Sequence, residues 1–301
     1  MKANLAIGLL ALAAALGSTP ALATELSNGR ITVELATSAQ GWTTTDKDRV
    51  DFISWIQSDG TSTGNLAVHS GYLVCGEPGE NFGQSYNEGS IYDGNLNVVI
   101  GGTVSQWRNV ESRRAGIAAT DGDPTCNFTS ISAIAKTTYA LDSRAAIANA
   151  MKIKRTFQFL PQAADVDENL HAYVPRLSLP KYTTVLLPET DGTVHTYNAH
   201  DCAVGCELSS WNGKWFADDN GQGYGMAVIR DAASTWPAVV SMDNDGGSNS
   251  NLTAVVLLVP QGGFTGTITE TEWLCFYDPT TWPAAARNAG ILPTGCRVKT
   301  R

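Results

Sequence analysis

Histidine titrates nearest to neutral pH of the ordinary side chains, so it is the first group to seek where proton transfer is in question. The chain has four, His69, His171, His195 and His200, and the last three fall within thirty residues, in HAYVPR and VHTYNAHD. His171, His195 and His200 are candidate acids or bases. His195 and His200 equally suit a strand and a loop where they are hydrogen-bonded and inert. Carboxylates that could complete an acid/base pair are Glu207, Asp218, Asp219 and the Glu270 and Glu272 of TITETEWLCFY. Such a pair must converge in one cleft. On a strand Glu270 and Glu272 point one way and Trp273 the other. Glu272 therefore joins the candidate catalytic groups, against the plainer reading that two like carboxylates on one face are solvated.

The stretch WNGKWFADDNGQG and the tyrosine after it combine Trp211, Trp215, Phe216 and Tyr224 with Asp218, Asp219 and Asn220 in a polar, glycine-rich setting. Sugar rings stack their C–H faces on aromatic planes while carboxylates and amides take the hydroxyls. Trp211, Trp215 and Tyr224 are candidate platforms, with Asp218, Asp219 and Asn220 as polar contacts. The competing reading packs Trp215 into a core and makes DDNG a plain turn. Arg155 and Arg176 could hold an anionic sugar substituent. In MDNDGGSNSN, Asp243 and Asp245 offer oxygen ligands of the kind calcium takes, without EF-hand spacing, and an Asx-rich hairpin loop is the alternative. GxSxG, HExxH, P-loop and dinucleotide-binding patterns are absent from the sequence, which removes the commonest esterase, metalloprotease and nucleotide-enzyme classes.

The opening MKANLAIGLLALAAALGSTPALA reads as a secretory signal peptide, with cleavage expected before Thr24. Its apolar run is too short to span a bilayer, so a secreted or periplasmic protein with no membrane span is expected. The formal net charge is −9. That sign disfavours nucleic acid and anionic membrane surfaces as partners and is compatible with a carbohydrate ligand. Six cysteines in an exported chain imply disulfides, and six allow 15 pairings. Proximity favours Cys202 with Cys206, Cys275 with Cys296, and Cys75 with Cys126. A zinc half-site at His200, Cys202 and Cys206 would need both thiolates free, and the disulfide is the preferred reading.

Short Val/Ile/Thr/aromatic runs alternate with Gly, Asn, Asp and Pro, the pattern of strands and turns. Expected strands include 30–36, 51–57, 95–100, 105–109, 130–141, 151–160, 182–188, 226–230, 253–259 and 265–277. The segment Ser143 to Met151 suits either a short helix or a hairpin, and a second short helix is expected after Asp278. The fold class is all-β, a large antiparallel β-sandwich forming one domain over 24–301.

LSNGRITVEL, ISWIQSDGTSTGNLA, KIKRTFQF, YVPRLSLP and WFADDNGQGYGMAVIRD, in that order, resemble the galactose mutarotase-like β-supersandwich. The resemblance covers most of the chain after residue 23. It implies a supersandwich and a carbohydrate ligand, bound for a hydrolase, lyase or epimerase reaction with histidine and carboxylate acid/base groups. The asparagine-histidine motif of aldose epimerases is missing, so no catalytic position transfers. The alternative from another class is a non-catalytic extracellular binding or cell-surface interaction module.

Overall fold

The computed structural model describes residues 24–35, 50–66, 68–69, 89–92, 98–100, 103–112, 131–159, 171–178, 184–198, 206–208, 210–234, 237–244, 251–258 and 266–301. The expected signal segment, Cys75, Cys126, His200, Cys202, Asp245 and the loop after it lie outside them.

The chain is an all-β antiparallel sandwich. Strands β1 (Thr24–Ser27), β2 (Ile31–Leu35) and β3 (Val50–Trp55) form a three-stranded sheet in that order. Next come β4 (Val68–His69), β5 (Gly89–Tyr92), β6 (Val98–Ile100), β7 (Thr103–Ser112), β8 (Ile131–Leu141), β9 (Ala150–Phe159) and β10 (His171–Ser178). The remainder are β11 (Thr184–Pro188), β12 (Val194–Asn198), β13 (Cys206–Leu208), β14 (Trp215–Asp219), β15 (Gly225–Arg230), β16 (Ala238–Asn244), β17 (Asn251–Leu258) and β18 (Gly266–Tyr277). A five-stranded sheet runs β13-β16-β17-β10-β4, and a ten-stranded sheet runs β12-β11-β14-β15-β18-β9-β8-β7-β5, with β6 also on β7. All these pairings are antiparallel.

Each expected strand is present, shifted by a few residues at its ends. The Ser143 to Met151 stretch is not a helix: it makes the turn of the β8–β9 hairpin and runs into β9 at Ala150. The Asp142 side chain accepts from the backbone N–H of Arg144 at 2.8 Å, the Asx arrangement that competes with helix initiation. The second expected helix exists as α1 (Ala284–Asn288).

In the middle of the ten-stranded sheet β14 and β15 are buried along their whole length, so both faces are covered there. One face packs Leu186, Trp215, Ala217, Ile229 and Tyr277 under the segment after β18. That segment contributes Trp282, whose ring lies edge-on to Tyr277 at 4.5 Å and to Trp215 at 5.2 Å. Cys275 and Cys296 are joined across 21 residues of sequence separation, as the spacing suggested. Reducing a bridge over a loop of this length costs about 3 kcal/mol in the chain-entropy account. The double variant Cys275→Ser, Cys296→Ser is therefore expected to unfold at lower urea, with a somewhat steeper slope because its unfolded chain is less compact, and a change below about 0.5 kcal/mol would place the anchoring in Trp282 instead.

The opposite face carries Met151, Ile153, Val185, Phe216, Val228, Leu274 and Phe276, all buried. Trp55 of the three-stranded sheet stacks on Phe276 at 6.3 Å, and its Nε1 donates to Asn149 Oδ1 at 3.2 Å. Asn28 in the β1–β2 turn donates to the carbonyls of Asp142 and Ala148 at 2.8 and 3.0 Å. These contacts lay the small sheet over the β8–β9 end of this face, and the same face holds the charged groups described next.

Candidate functional site

Four charged side chains meet among the aliphatic residues of this second face. Arg155 is 1 % exposed, and Arg230, Glu270 and Glu272 are 0 % exposed. Strand register brings them together: on β18 Glu270 lies opposite Arg155 of β9, and Glu272 lies opposite Arg230 of β15. The ion pairs then form on the diagonals. Arg230 Nη2 donates to Glu270 Oε1 at 2.8 Å, whereas Arg155 Nη1 stops 3.8 Å from Glu272 Oε2. The first is a closed, hydrogen-bonded pair. The second is beyond hydrogen-bond range.

The open diagonal leaves polar atoms unengaged. Arg155 Nη1 and Nη2, both oxygens of Glu272 and Oε2 of Glu270 are buried with no hydrogen-bond partner. Burying such groups unpaired costs about 1–3 kcal/mol each, more where they are charged, so a cluster of five in one place calls for a reason. Burial is the largest influence on Glu272 and pushes its pKa up to about 8; Arg155 and Arg230 pull it down, and Glu270 adds to the rise. A carboxyl group that keeps its proton at neutral pH, beside a salt-bridged carboxylate, is the division into acid and base that chemistry at an anomeric centre uses. The plainer expectation of a solvated Glu270 and Glu272 pair is overturned: their arginines come from the neighbouring strands.

Arg155 and Glu272, expected respectively as binding and catalytic groups, are thus brought together, and Arg230 and Glu270 complete the site. Sequence phase could have found them. In KIKR the inward positions are Ile153 and Arg155, in TITETEWLCF they are Ile268, Glu270, Glu272, Leu274 and Phe276, and in GMAVIR they are Met226, Val228 and Arg230. A charge on the apolar phase of a strand is either paired inside or functional.

Trp211 stands beside the quartet, with the Arg230 guanidinium 5.9 Å from its ring centre. It is 6 % exposed, its Nε1 donates to the carbonyl of Trp215 at 2.7 Å, and Phe216 meets it edge-on. Trp215 points to the other face, into the packing around Trp282. Neither ring offers an open stacking surface in this structure. Asp218 shares the quartet face but sits on β14, with two strands between it and β9, opposite Met226. Asp219 points to the Trp282 side, where Oδ2 accepts from Tyr277 Oη at 3.1 Å and from Arg287 Nη1 at 2.7 Å.

The other Asp219 oxygen accepts from the N–H groups of Gly221 and Gly223, and Asn220 Oδ1 from those of Gln222 and Tyr224. These nested Asx bonds make the β14–β15 turn, as DDNG suggested. Tyr224 is half-buried in that turn. Gly225 begins β15 where a Cβ would fall 1.9 Å from the carbonyl oxygen of Asp218, so the close strand approach admits only glycine.

His195 meets a carboxylate, but in another place. Its Nε2 lies 3.6 Å from Glu189 Oε2 on the β11–β12 hairpin at the edge of the sheet. Glu189 Oε1 accepts from Tyr197 Oη and from Ser210 Oγ, and these bonds hold its carboxyl below the usual range. Asp191, Glu189 and His195 bring ligand atoms within 4.8 Å of one another, a set able to touch a divalent ion. His171 begins β10 opposite Leu258, and Arg176 lies on β10 opposite His69. Asp243 belongs to β16, opposite Leu252, so the strand extends into the stretch read as a calcium loop. Cys206 opens β13 opposite Met242.

No known sequence family matches the chain, and no curated protein matches it. Solved structures with similar strand arrangements include the ligand-free alpha-N-acetylgalactosaminidase NagBb from Bifidobacterium bifidum, at 11 % identity and a TM-score of 0.45 over 85 % of this chain. The heparan sulfate lyase HepC from Pedobacter heparinus gives 7 % identity and a TM-score of 0.40 over 82 %. A protein designated HI1317 gives 10 % and 0.37 over 82 % of this chain and 92 % of its own. The chain spans only 36 % and 33 % of the first two, both carbohydrate-active enzymes. Among the described residues, no helix is long and apolar enough to cross a membrane.

Proposed function

We propose that this chain is an exported carbohydrate-active protein whose working site is the Arg155, Arg230, Glu270 and Glu272 quartet. The observation that carries the reading is the set of unengaged donors and acceptors on the open Arg155–Glu272 diagonal. A sugar hydroxyl both donates and accepts, so one placed in that gap would accept from a guanidinium N–H and donate to a carboxylate oxygen. In an acid/base reaction Glu272 delivers the proton to the departing or ring oxygen, and Glu270, aligned by Arg230, receives one. The expected roles of the histidines as acid and base pass to these carboxylates.

The experiment is a glycan panel followed by tryptophan fluorescence for binding, with new reducing ends and unsaturated uronate absorbance for turnover. Glu272→Gln is expected to lower kcat by roughly 10²–10⁴-fold, the range for a positioned acid, while binding persists. Binding without turnover across the panel would favour the non-catalytic module, a reading that the complete closure of the quartet from solvent supports. No response to any glycan would end both. Because all four groups are closed off, a ligand reaches them only if the covering layer parts. The association rate constant in stopped flow is therefore expected below about 10⁵ M⁻¹s⁻¹, slower than ordinary docking.

A further inference from the structure

The two arginines of the quartet are in unlike states, and the difference names a ligand. Arg230 has its carboxylate at 2.8 Å, while Arg155 has none within hydrogen-bond range and both terminal nitrogens unengaged at 1 % exposure. The guanidinium fork is planar, permanently charged and shaped for two oxygens of one planar anion. The inward residue before it on β9, Ile153, is apolar and cannot serve it, and Glu270, directly opposite, is turned to Arg230.

We infer that Arg155 is the receptor for the carboxylate of an acidic sugar, so that the substrate is a uronate-containing glycan and not a neutral one. This rests on the reading of the quartet as a sugar site. The charge count agrees: with Glu272 holding its proton at neutral pH, two guanidiniums face the single salt-bridged carboxylate of Glu270, and one further negative charge balances the buried set. A uronate carboxylate supplies that charge, while the ring hydroxyls beside it meet the unengaged oxygens of Glu272 and Glu270. The acidity of the whole chain does not oppose this, since selectivity is set where the ligand is desolvated and the net charge acts through screened solvent. Arg155 is then a specificity residue that touches the substrate, and Glu272 acts next to it.

The test is to titrate the intact protein with oligogalacturonates, alginate and glucuronan fragments, the same oligosaccharides methyl-esterified, and neutral and sulfated counterparts of equal length. The expected result is roughly ten- to hundredfold weaker binding of the ester than of the acid, with Arg155→Gln erasing the difference and Arg155→Lys restoring part of it. Equal affinity for acid and ester would overturn the inference and leave the sugar reading intact. So would a preference for sulfated over carboxylated sugars. A complete absence of sugar binding would remove the reading beneath it. Should Arg155→Gln fail to fold, the acid and ester comparison on the unaltered protein still decides.

Discussion

Arg230→Gln, with Glu270 and Glu272 left in place, is expected to lower the unfolding free energy by about 3–5 kcal/mol, measured as a drop in urea midpoint at constant slope. The magnitude follows from what remains and not from the bond removed. Glu270 loses its 2.8 Å partner inside a site that is 0 % exposed, and Glu272 loses the second of the two cations acting on it. A buried carboxyl stripped of its cation either stays charged at high desolvation cost or takes up a proton. Removing both ends of the pair has a different outcome. Arg230→Met with Glu270→Leu removes both charges of the closed pair and leaves the Arg155–Glu272 diagonal as it was, so most of the loss should be recovered. A single variant within about 1 kcal/mol of the parent would mean that water reaches the pair.

The second large effect is a fall in stability as pH rises from about 4.5 to about 8. Glu272 has its pKa raised in the folded protein from 4.5 to about 8, chiefly by burial. Between those values the folded chain keeps a proton that the unfolded chain releases. The contribution is therefore complete below about 4.5 and is lost as pH climbs through 8. At 1.36 kcal/mol per unit the swing is on the order of 5 kcal/mol. Asp278 acts with the opposite sign. Burial pushes its carboxyl up, but hydrogen bonds from Ser58 and Thr281 outweigh this and hold it below 3.8, so its contribution fades only in stronger acid. Maximum stability is thus expected in mildly acidic solution, near pH 4–5. In Glu272→Gln, thermal melts between pH 5 and 9 should lose most of their slope; a parent already flat over that range would show Glu272 ionised throughout.

Much of the architecture could be read locally. Alternation and turn residues located strands such as β8, β9 and β18, because those signals are carried by each strand's own residues. The Cys275–Cys296 bridge was legible for the same reason, as both cysteines lie close in sequence. The quartet was not legible as a unit. Its members come from β9, β15 and β18, separated by some 40 to 120 residues of sequence, and only the pairing of β18 with both neighbours puts them in contact. Arg155 and Glu272 each drew attention singly. Glu270 stands out in sequence only as the neighbour of Glu272, where two like carboxylates are ordinarily wet, and Arg230 does not stand out at all, since an arginine at a strand end ordinarily snorkels. For Trp211 the polar neighbourhood in sequence misled, since the Lys214 and Asn212 beside it face outward while the ring turns in toward Arg230.

The position of β18 also constrains when the protein can fold. Among the described residues it follows seventeen other strands, yet it lies mid-sheet, joining β15 to β9 along runs of six and ten paired residues. Until residues 266–277 are available, β9 and β15 are unpaired edges, and Arg155 and Arg230 have no carboxylates. Contacts of such sequence separation form slowly, because the loop-closure entropy must be met before they reward it. A growing polypeptide therefore reaches this sheet late, after most of it has been synthesised.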